Sequence, residues 1–256
     1  MLAIIGGTGL TNLANLEITR REVVRTPYGE PSGHLTFGHI GHAEMIFLAR
    51  HGYAHTLPPH GVNYRANIWA LQTAGATRII AVNAVGGIAA DMGPGVLAVP
   101  DQIIDYTQGR KHTFFEGEEP VTHIDFTFPF CERARQLLLA ASRAVAMPAL
   151  SAGTIGVMQG PRLETRAEVM RLAHDGCTMV GMTTMPEAAL AREKQRSYAM
   201  LALSMNHAAG VGSSSAGIKL VDADAVLAAG MEKVRVIIAK VVEMHAAMPA
   251  AERGLA

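Results

Sequence analysis

Four short stretches of this chain place anion-binding groups directly after apolar runs that read as strands. Residues 2–5 run into Gly6-Gly7-Thr8-Gly9-Leu10, a glycine-rich turn in which backbone N–H groups can approach an anion closely while Thr8 adds a hydroxyl. Residues 43–49 run into Arg50 and His51, with His55 and His60 nearby. Arginine presents a planar fork of donors suited to phosphate, and a histidine beside it can donate as well. Residues 79–82 end at Asn83 and Ala84, at the lip of a further glycine-containing turn. Finally, Cys177 to Glu187 reads CTMVGMTTMPE. Its apolar run stops at glycine and methionine, and Pro186 with Glu187 opens a helical stretch. Proline at a first helical position gives up no hydrogen bond, because that N–H would be unpaired anyway. A strand therefore ends where a helix begins, with Thr183 and Thr184 in the crevice, and such crevices at carboxyl ends of strands are where open α/β sheets bind ligands. Each stretch alone also reads as an ordinary loop, and the histidines as incidental. Their recurrence at several strand ends is an active-site pattern.

The elements that must position these residues follow from periodicity and turn signals. Strands are expected at 2–5, 18–25, 34–40, 43–49, 79–82, 96–105, 151–158, 179–180 and 198–205. Helices are expected at 63–73, 133–145, from about 165, from Pro186 and over 224–248, the last with Gly230 as a soft point. Trp69, the only tryptophan, is expected inside the first helix's packing face. Residues 106–130 form a long irregular segment rich in aromatics, His and Pro, and loops of that length are usually functional or interface-forming. Strands alternating with helices imply a single α/β domain over 1–249, a mixed, mostly parallel central sheet flanked by helices. Residues 250–256 are expected to be a frayed tail.

The totals narrow the function class. Among 256 residues, 49% are hydrophobic and 17% charged, and 22 basic side chains balance 22 acidic ones. A substantial core is affordable, and a nucleic-acid surface, which needs surplus Lys and Arg to displace counterions, is not expected. Cys131 and Cys177 are far apart without CxxC spacing, so neither a disulfide framework nor a zinc site is expected, and a reducing compartment is. The N-terminus lacks the basic and apolar regions of a signal peptide, and no apolar run approaches the roughly 20 residues that span a bilayer. The expectation is a soluble cytoplasmic protein without a membrane partner.

GGTGL, LARHGYAHTLPPHGVNYRANIWAL, NAVGG, GPRLETRAE and GMTTMPEAALARE occur in order over nearly the whole chain. Together they resemble the trimeric purine nucleoside phosphorylase and methylthioadenosine phosphorylase family. The resemblance implies a phosphorylase fold, a homotrimer, no metal and no organic cofactor, with inorganic phosphate as co-substrate. It implies phosphorolysis of a purine nucleoside, in which phosphate attacks the anomeric carbon and releases the base. It assigns phosphate to Thr8, Arg50, His51, Asn83, Ala84 and Thr183, and the ribose hydroxyls to the backbone of Met182.

Substrate choice rests on a few further positions. Methylthioadenosine enzymes have a serine where this chain has Glu164, and two aspartates flanking a tyrosine where it has Asn206-His207-Ala208. Glu164 can accept from the N1–H of a 6-oxopurine and the Asn206 amide can donate to O6 or N7, so these two, with His51, are the expected catalytic residues. Leu163, His207 and Ala208 are expected beside the base. His207 faces the base, supports Asn206 or simply packs, and Glu164 read purely structurally would cap the helix starting near Thr165. At the 5′ end, purine nucleoside phosphorylases place a histidine where this chain has Ala223, with Val226 a turn on; an apolar wall there suits a 5′-methylthio group. His123 resembles a residue that a neighbouring subunit contributes over the 5′ group. The combination points to 5′-methylthioinosine as substrate. A general 6-oxopurine nucleoside phosphorylase, a methylthioadenosine phosphorylase and a catalytically silent nucleoside-binding relative stand as alternatives.

Overall fold

Strand β1, Leu2–Gly6, is buried along its whole length and organises the molecule. Side chains alternate faces along a strand, and here both faces are covered. Leu2 and Ile4 pack into one apolar cluster, Ala3 and Ile5 into another on the opposite side. Such a doubly covered strand needs a continuous apolar run rather than a polar alternation, and each fully buried Leu or Ile contributes roughly 1.5–3 kcal/mol. This computed structural model describes the chain except residues 11, 12, 14, 118, 119 and 254–256, and except the side chains of 221–223.

The chain continues through β2 (Glu17–Glu22), β3 (Leu35–Ile40), β4 (Ala43–Ala49), α1 (Tyr64–Thr73), β5 (Arg78–Gly87), β6 (Leu97–Ala98) and β7 (Gln102–Asp105). It then passes through α2 (Glu132–Ala144), β8 (Thr154–Val157), α3 (Arg166–His174), β9 (Met179–Gly181), α4 (Thr184–Glu193), β10 (Ser197–His207) and α5 (Leu220–Ala247). The sheet order is β2-β3-β4-β1-β5-β9-β8-β7, with β10 along the other edge of β5 and β6 on β10. Parallel pairing joins β4, β1, β5 and β10 in the centre and β7, β8 and β9 at one side. Antiparallel pairing attaches β2, β3, β6 and the β5–β9 contact. The sheet is thus mixed, with a parallel centre flanked by helices.

Several boundaries differ from the sequence expectation for identifiable reasons. β5 does not stop at Val82: β10 pairs with it as far as Gly87, so Asn83 and Ala84 are strand residues rather than a lip. β10 likewise includes Asn206 and His207, with a register shift between Ser204 and Asn206. The stretch 96–105 is two strands, because Pro100 has no N–H for a ladder, and β6 and β7 pair with different partners. Trp69 is only half-buried, packed edge-on against Tyr28 at 5.5 Å with the Lys194 ammonium over its indole. Residues 250–252 form a short 3-10 turn, and 254–256 of the expected tail lie outside the described residues. Arg78 Nη2 donates to the Glu252 carbonyl and Thr77 Oγ1 to that of Arg253. Among the described residues, no helix is long and apolar enough to cross a membrane.

Candidate active site

The carboxyl ends of the central strands surround a cavity of about 700 Å³. It takes Thr8 from the turn after β1, Arg50 and His51 from the end of β4, and Asn83 to Gly86 from β5. Glu164 precedes α3, Met182 and Thr183 link β9 to α4, and Asn206 and Ala208 end β10. Leu163 and the start of α5 complete the wall. The glycine turn matters for space: a Cβ on Gly7 would lie 2.9 Å from Arg50 Nη1 and 2.5 Å from the Val82 carbonyl. A side chain there would push the turn off the guanidinium.

One end of the cavity is built for an anion. Arg50 and Glu187 are both fully buried and form a two-pronged ion pair, Nε to Oε2 and Nη2 to Oε1, each 2.8 Å. The Tyr198 hydroxyl donates to the same Oε1 at 2.8 Å. Burial pulls the Arg50 pKa down, but the carboxylate in contact outweighs it and the guanidinium stays charged. Nη1 also donates to the Val82 carbonyl, and Nη2 to Asn83 Oδ1 at 3.4 Å. That leaves one Nη1 proton, of five donors, without a partner among the described residues. Asn83 Nδ2 donates to Thr183 Oγ1 at 2.8 Å, so the threonine hydroxyl keeps its own proton for another acceptor. The Thr183 N–H has no partner among the described residues; it precedes α4, whose regular turns begin only past the non-helical Met185. A charged guanidinium, a hydroxyl and a free amide lining one cavity suit phosphate.

His51 differs from expectation. Its Nδ1 faces the Leu57 carbonyl at 2.8 Å, and a carbonyl only accepts, so Nδ1 carries the proton. Burial first, and then the neighbouring Arg50, lower its pKa to about 4. The ring is neutral near pH 7, and Nε2 offers a lone pair instead of a second donor. Thr184 also differs: it is fully buried, its hydroxyl donating to Met200 Sδ, and it does not reach the cavity.

Glu164 lines the same cavity. This side chain is 9% exposed, and its Oε1 is buried without a partner among the described residues. Burial raises its pKa, only partly offset by its own backbone amide and by Arg162. The purely structural reading fails, because Thr165 caps α3 by accepting from the Glu168 N–H while the Glu168 carboxylate accepts from the Thr165 N–H. This reciprocal capping box satisfies the helix end without Glu164. Asn206 also lines the cavity, its Nδ2 donating to the His207 carbonyl at 2.6 Å.

Two expected substrate contacts do not line the cavity, and one lies outside what is described. His207 is turned away: its Nδ1 pairs with Ser213 Oγ at 2.9 Å, and its ring packs on Gly212, where a Cβ would come within 2.9 Å. Met205, Asn206 and, just past β10, Ala208 line the cavity next to the strand's register shift, while His207 is held on Ser213. Val226 sits off the face that α5 presents; Ile218, Leu220 and Asp224 line the cavity instead. His123 lies exposed on the irregular segment, away from this cavity. The side chain of Ala223 lies outside the described residues. The sequence reading passed over Glu187, which with Pro186 read only as the opening of a helical stretch, and Tyr198, whose place in an apolar strand gave no polar signal.

Comparison with known proteins agrees with this geometry. A family model described as "Phosphorylase superfamily" matches residues 1–243. The chain is 54% identical over 240 residues to a Pseudomonas syringae pv. tomato protein named "Probable S-methyl-5'-thioinosine phosphorylase", covering 93% of this chain and 97% of that one. It is 46% identical over 216 residues to the 6-oxopurine nucleoside phosphorylase of Pyrococcus furiosus, covering 82% and 80%. Among solved structures, methylthioadenosine phosphorylase from Schistosoma mansoni in complex with adenine superposes with a TM-score of 0.93 at 32% identity, covering 98% and 94%.

Proposed function

The chain belongs to the phosphorylase superfamily, and from that premise we propose that it cleaves S-methyl-5′-thioinosine with inorganic phosphate. The products are hypoxanthine and 5-(methylthio)ribose 1-phosphate. The C1′–N9 bond breaks with its electron pair leaving on the purine, and a phosphate oxygen forms the new bond to C1′. The proton that monohydrogen phosphate brings is matched by the one hypoxanthine carries away. Arg50, Thr8, Thr183 and the β5 backbone at Ala84 hold the anion beneath the sugar, where it stabilises the oxocarbenium-like centre before attacking it. His51 Nε2, a lone pair beside this anion, accepts from the P–OH rather than adding a donor. No metal or organic cofactor enters the scheme.

The observation that carries the base preference is the buried Glu164 Oε1, without a partner among the described residues. A 6-oxopurine offers it an N1–H, whereas adenine presents an acceptor there and leaves a buried group unpaired, at about 1–3 kcal/mol. Asn206 can then meet O6 or N7. At the 5′ end, Ile218 and Leu220 provide apolar wall, and burying a methylthio group there contributes on the order of 1–2 kcal/mol. Asp224 at the same end favours a second reading, a general 6-oxopurine nucleoside phosphorylase in which its carboxylate accepts from a 5′-hydroxyl. Turnover of methylthioinosine, inosine, guanosine and methylthioadenosine side by side tests both: faster inosine than methylthioinosine would overturn the 5′ assignment.

The assembly that fits this reading is a homotrimer in the cytoplasm, with His123 of a neighbouring subunit closing the 5′ end. In support, the segment carrying His123 exposes Val121 at 81% and Phe128 at 71%, more apolar surface than a free loop needs.

A further inference from the structure

Arg110 lies in the irregular segment between β7 and α2 and does not line the cavity. Its guanidinium nevertheless ties together the two chain segments that do. Nη1 donates to the Met182 carbonyl at 2.8 Å and the Met185 carbonyl at 2.6 Å; Nη2 donates to the Gln159 carbonyl at 2.8 Å. Nε donates to Gln159 Oε1 at 3.2 Å, and the ring of Tyr64 lies 5.6 Å from the guanidinium carbon. No carboxylate among the described residues pairs with it. A half-buried cation engaged by backbone carbonyls rather than by an acid is an expensive arrangement unless the backbone it holds matters.

The peptide that it holds does matter. The Met182–Thr183 bond is trans, and in a planar trans peptide the C=O and the following N–H point in opposite directions. Drawing the Met182 carbonyl toward Arg110 therefore aims the Thr183 N–H the other way. That N–H has no protein partner among the described residues, and both Met182 and Thr183 line the cavity. We propose that Arg110 is a positioning residue for the anion end of the site, orienting the 182–183 peptide so that the Thr183 amide faces phosphate. Its second hold, on Met185, keeps the entry to α4 from relaxing that orientation. A peptide free to rotate would offer the anion a carbonyl instead of a donor.

The inference rests on the phosphate-using reading of the cavity, and its test separates the two. Arg110→Met and Arg110→Lys are compared with wild type by phosphate titration calorimetry and by steady-state kinetics with methylthioinosine, per folded protein as judged by thermal unfolding. Losing one pre-set donor to an oxyanion lowers rates about 100-fold. The expected result is a phosphate kcat/KM about 100-fold lower in Arg110→Met and a matching loss of phosphate binding. The preference for methylthioinosine over methylthioadenosine should stay unchanged, and Arg110→Lys should recover part of the loss. Folded Arg110→Met with wild-type phosphate affinity and KM would overturn the proposal, as would a changed preference between methylthioinosine and methylthioadenosine. Wild-type protein that binds phosphate but leaves methylthioinosine intact would overturn the substrate assignment alone, since the calorimetric comparison needs no nucleoside.

Discussion

Replacing Glu187 with glutamine removes one charge while nearly preserving shape, and the structure sets what this should cost. Glu187 accepts three hydrogen bonds, two from Arg50 and one from Tyr198, all at 2.8 Å and all sealed from solvent. A glutamine carboxamide keeps one accepting oxygen and turns an NH₂ toward an Arg50 donor in either orientation, in one of them toward the Tyr198 hydroxyl as well. The guanidinium is then left as a buried charge without a counter-ion, a loss of about 3–5 kcal/mol when one partner of a buried pair is removed. For a chain of this size, each kcal/mol lowers Tm by about 2–4 °C, so a fall of roughly 6–20 °C is expected. Phosphate supplies the missing negative charge, so saturating phosphate should raise the variant's Tm more than it raises that of wild type. Thermal and urea unfolding with and without phosphate measure both effects. A stability loss under about 1 kcal/mol, or an equal phosphate response in the two proteins, would refute the reasoning that this pair is what charges and places Arg50.

The other predictions concern separate parts of the site. Thr183→Val removes a hydroxyl free to donate to phosphate and strands the Asn83 amide; a hydrogen bond to a charged group is worth about 1.5–3 kcal/mol, so the phosphate KM should rise at least tenfold with the base preference unchanged. Glu164→Ser combined with Asn206→Asp should move the ratio of kcat/KM values toward 6-aminopurine nucleosides, and an unchanged ratio in paired assays counts against the base reading. His51 and His245 both have pKa values lowered to about 4, by burial first and then by Arg50 and Arg78 respectively. Because the unfolded chain takes up these protons near the ordinary histidine value of about 6.5, their effect on stability is neutral above that pH and increasingly unfavourable from about 6.5 down to 4. Urea midpoints should therefore drop across that window, and His245→Gln, which keeps an acceptor for Arg78, should lessen the drop.

Much of this site was legible because strand ends announce themselves. Thr8, Arg50, His51 and Asn83 each follow an apolar run, and parallel pairing of β4, β1 and β5 brings those ends together. Less legible was how far strands continue: nothing local to Asn83 says that β10 will pair beyond it, yet that pairing decides which side chains face in. The register shift in β10 puts both Met205 and Asn206 on the cavity, a departure from alternation, while His207 pairs with Ser213. In α5 the helix starts at Leu220, so the turn facing the cavity holds Leu220 and Asp224, four residues apart on one face, and Val226 falls elsewhere. Arg110 was invisible because its partners are carbonyls 49 to 75 residues away along the chain. Backbone acceptors carry no sequence signature.

The central claim is that a buried carboxylate, with one oxygen unpartnered among the described residues, waits for the N1–H of a keto-purine whose sugar ends in a methylthio group. It is tested most directly by measuring kcat/KM for methylthioinosine against methylthioadenosine and inosine in one assay with saturating phosphate. The account predicts that methylthioinosine leads both, by about tenfold or more over the 6-amino compound. A methylthioadenosine rate equal to or above that of methylthioinosine would contradict it.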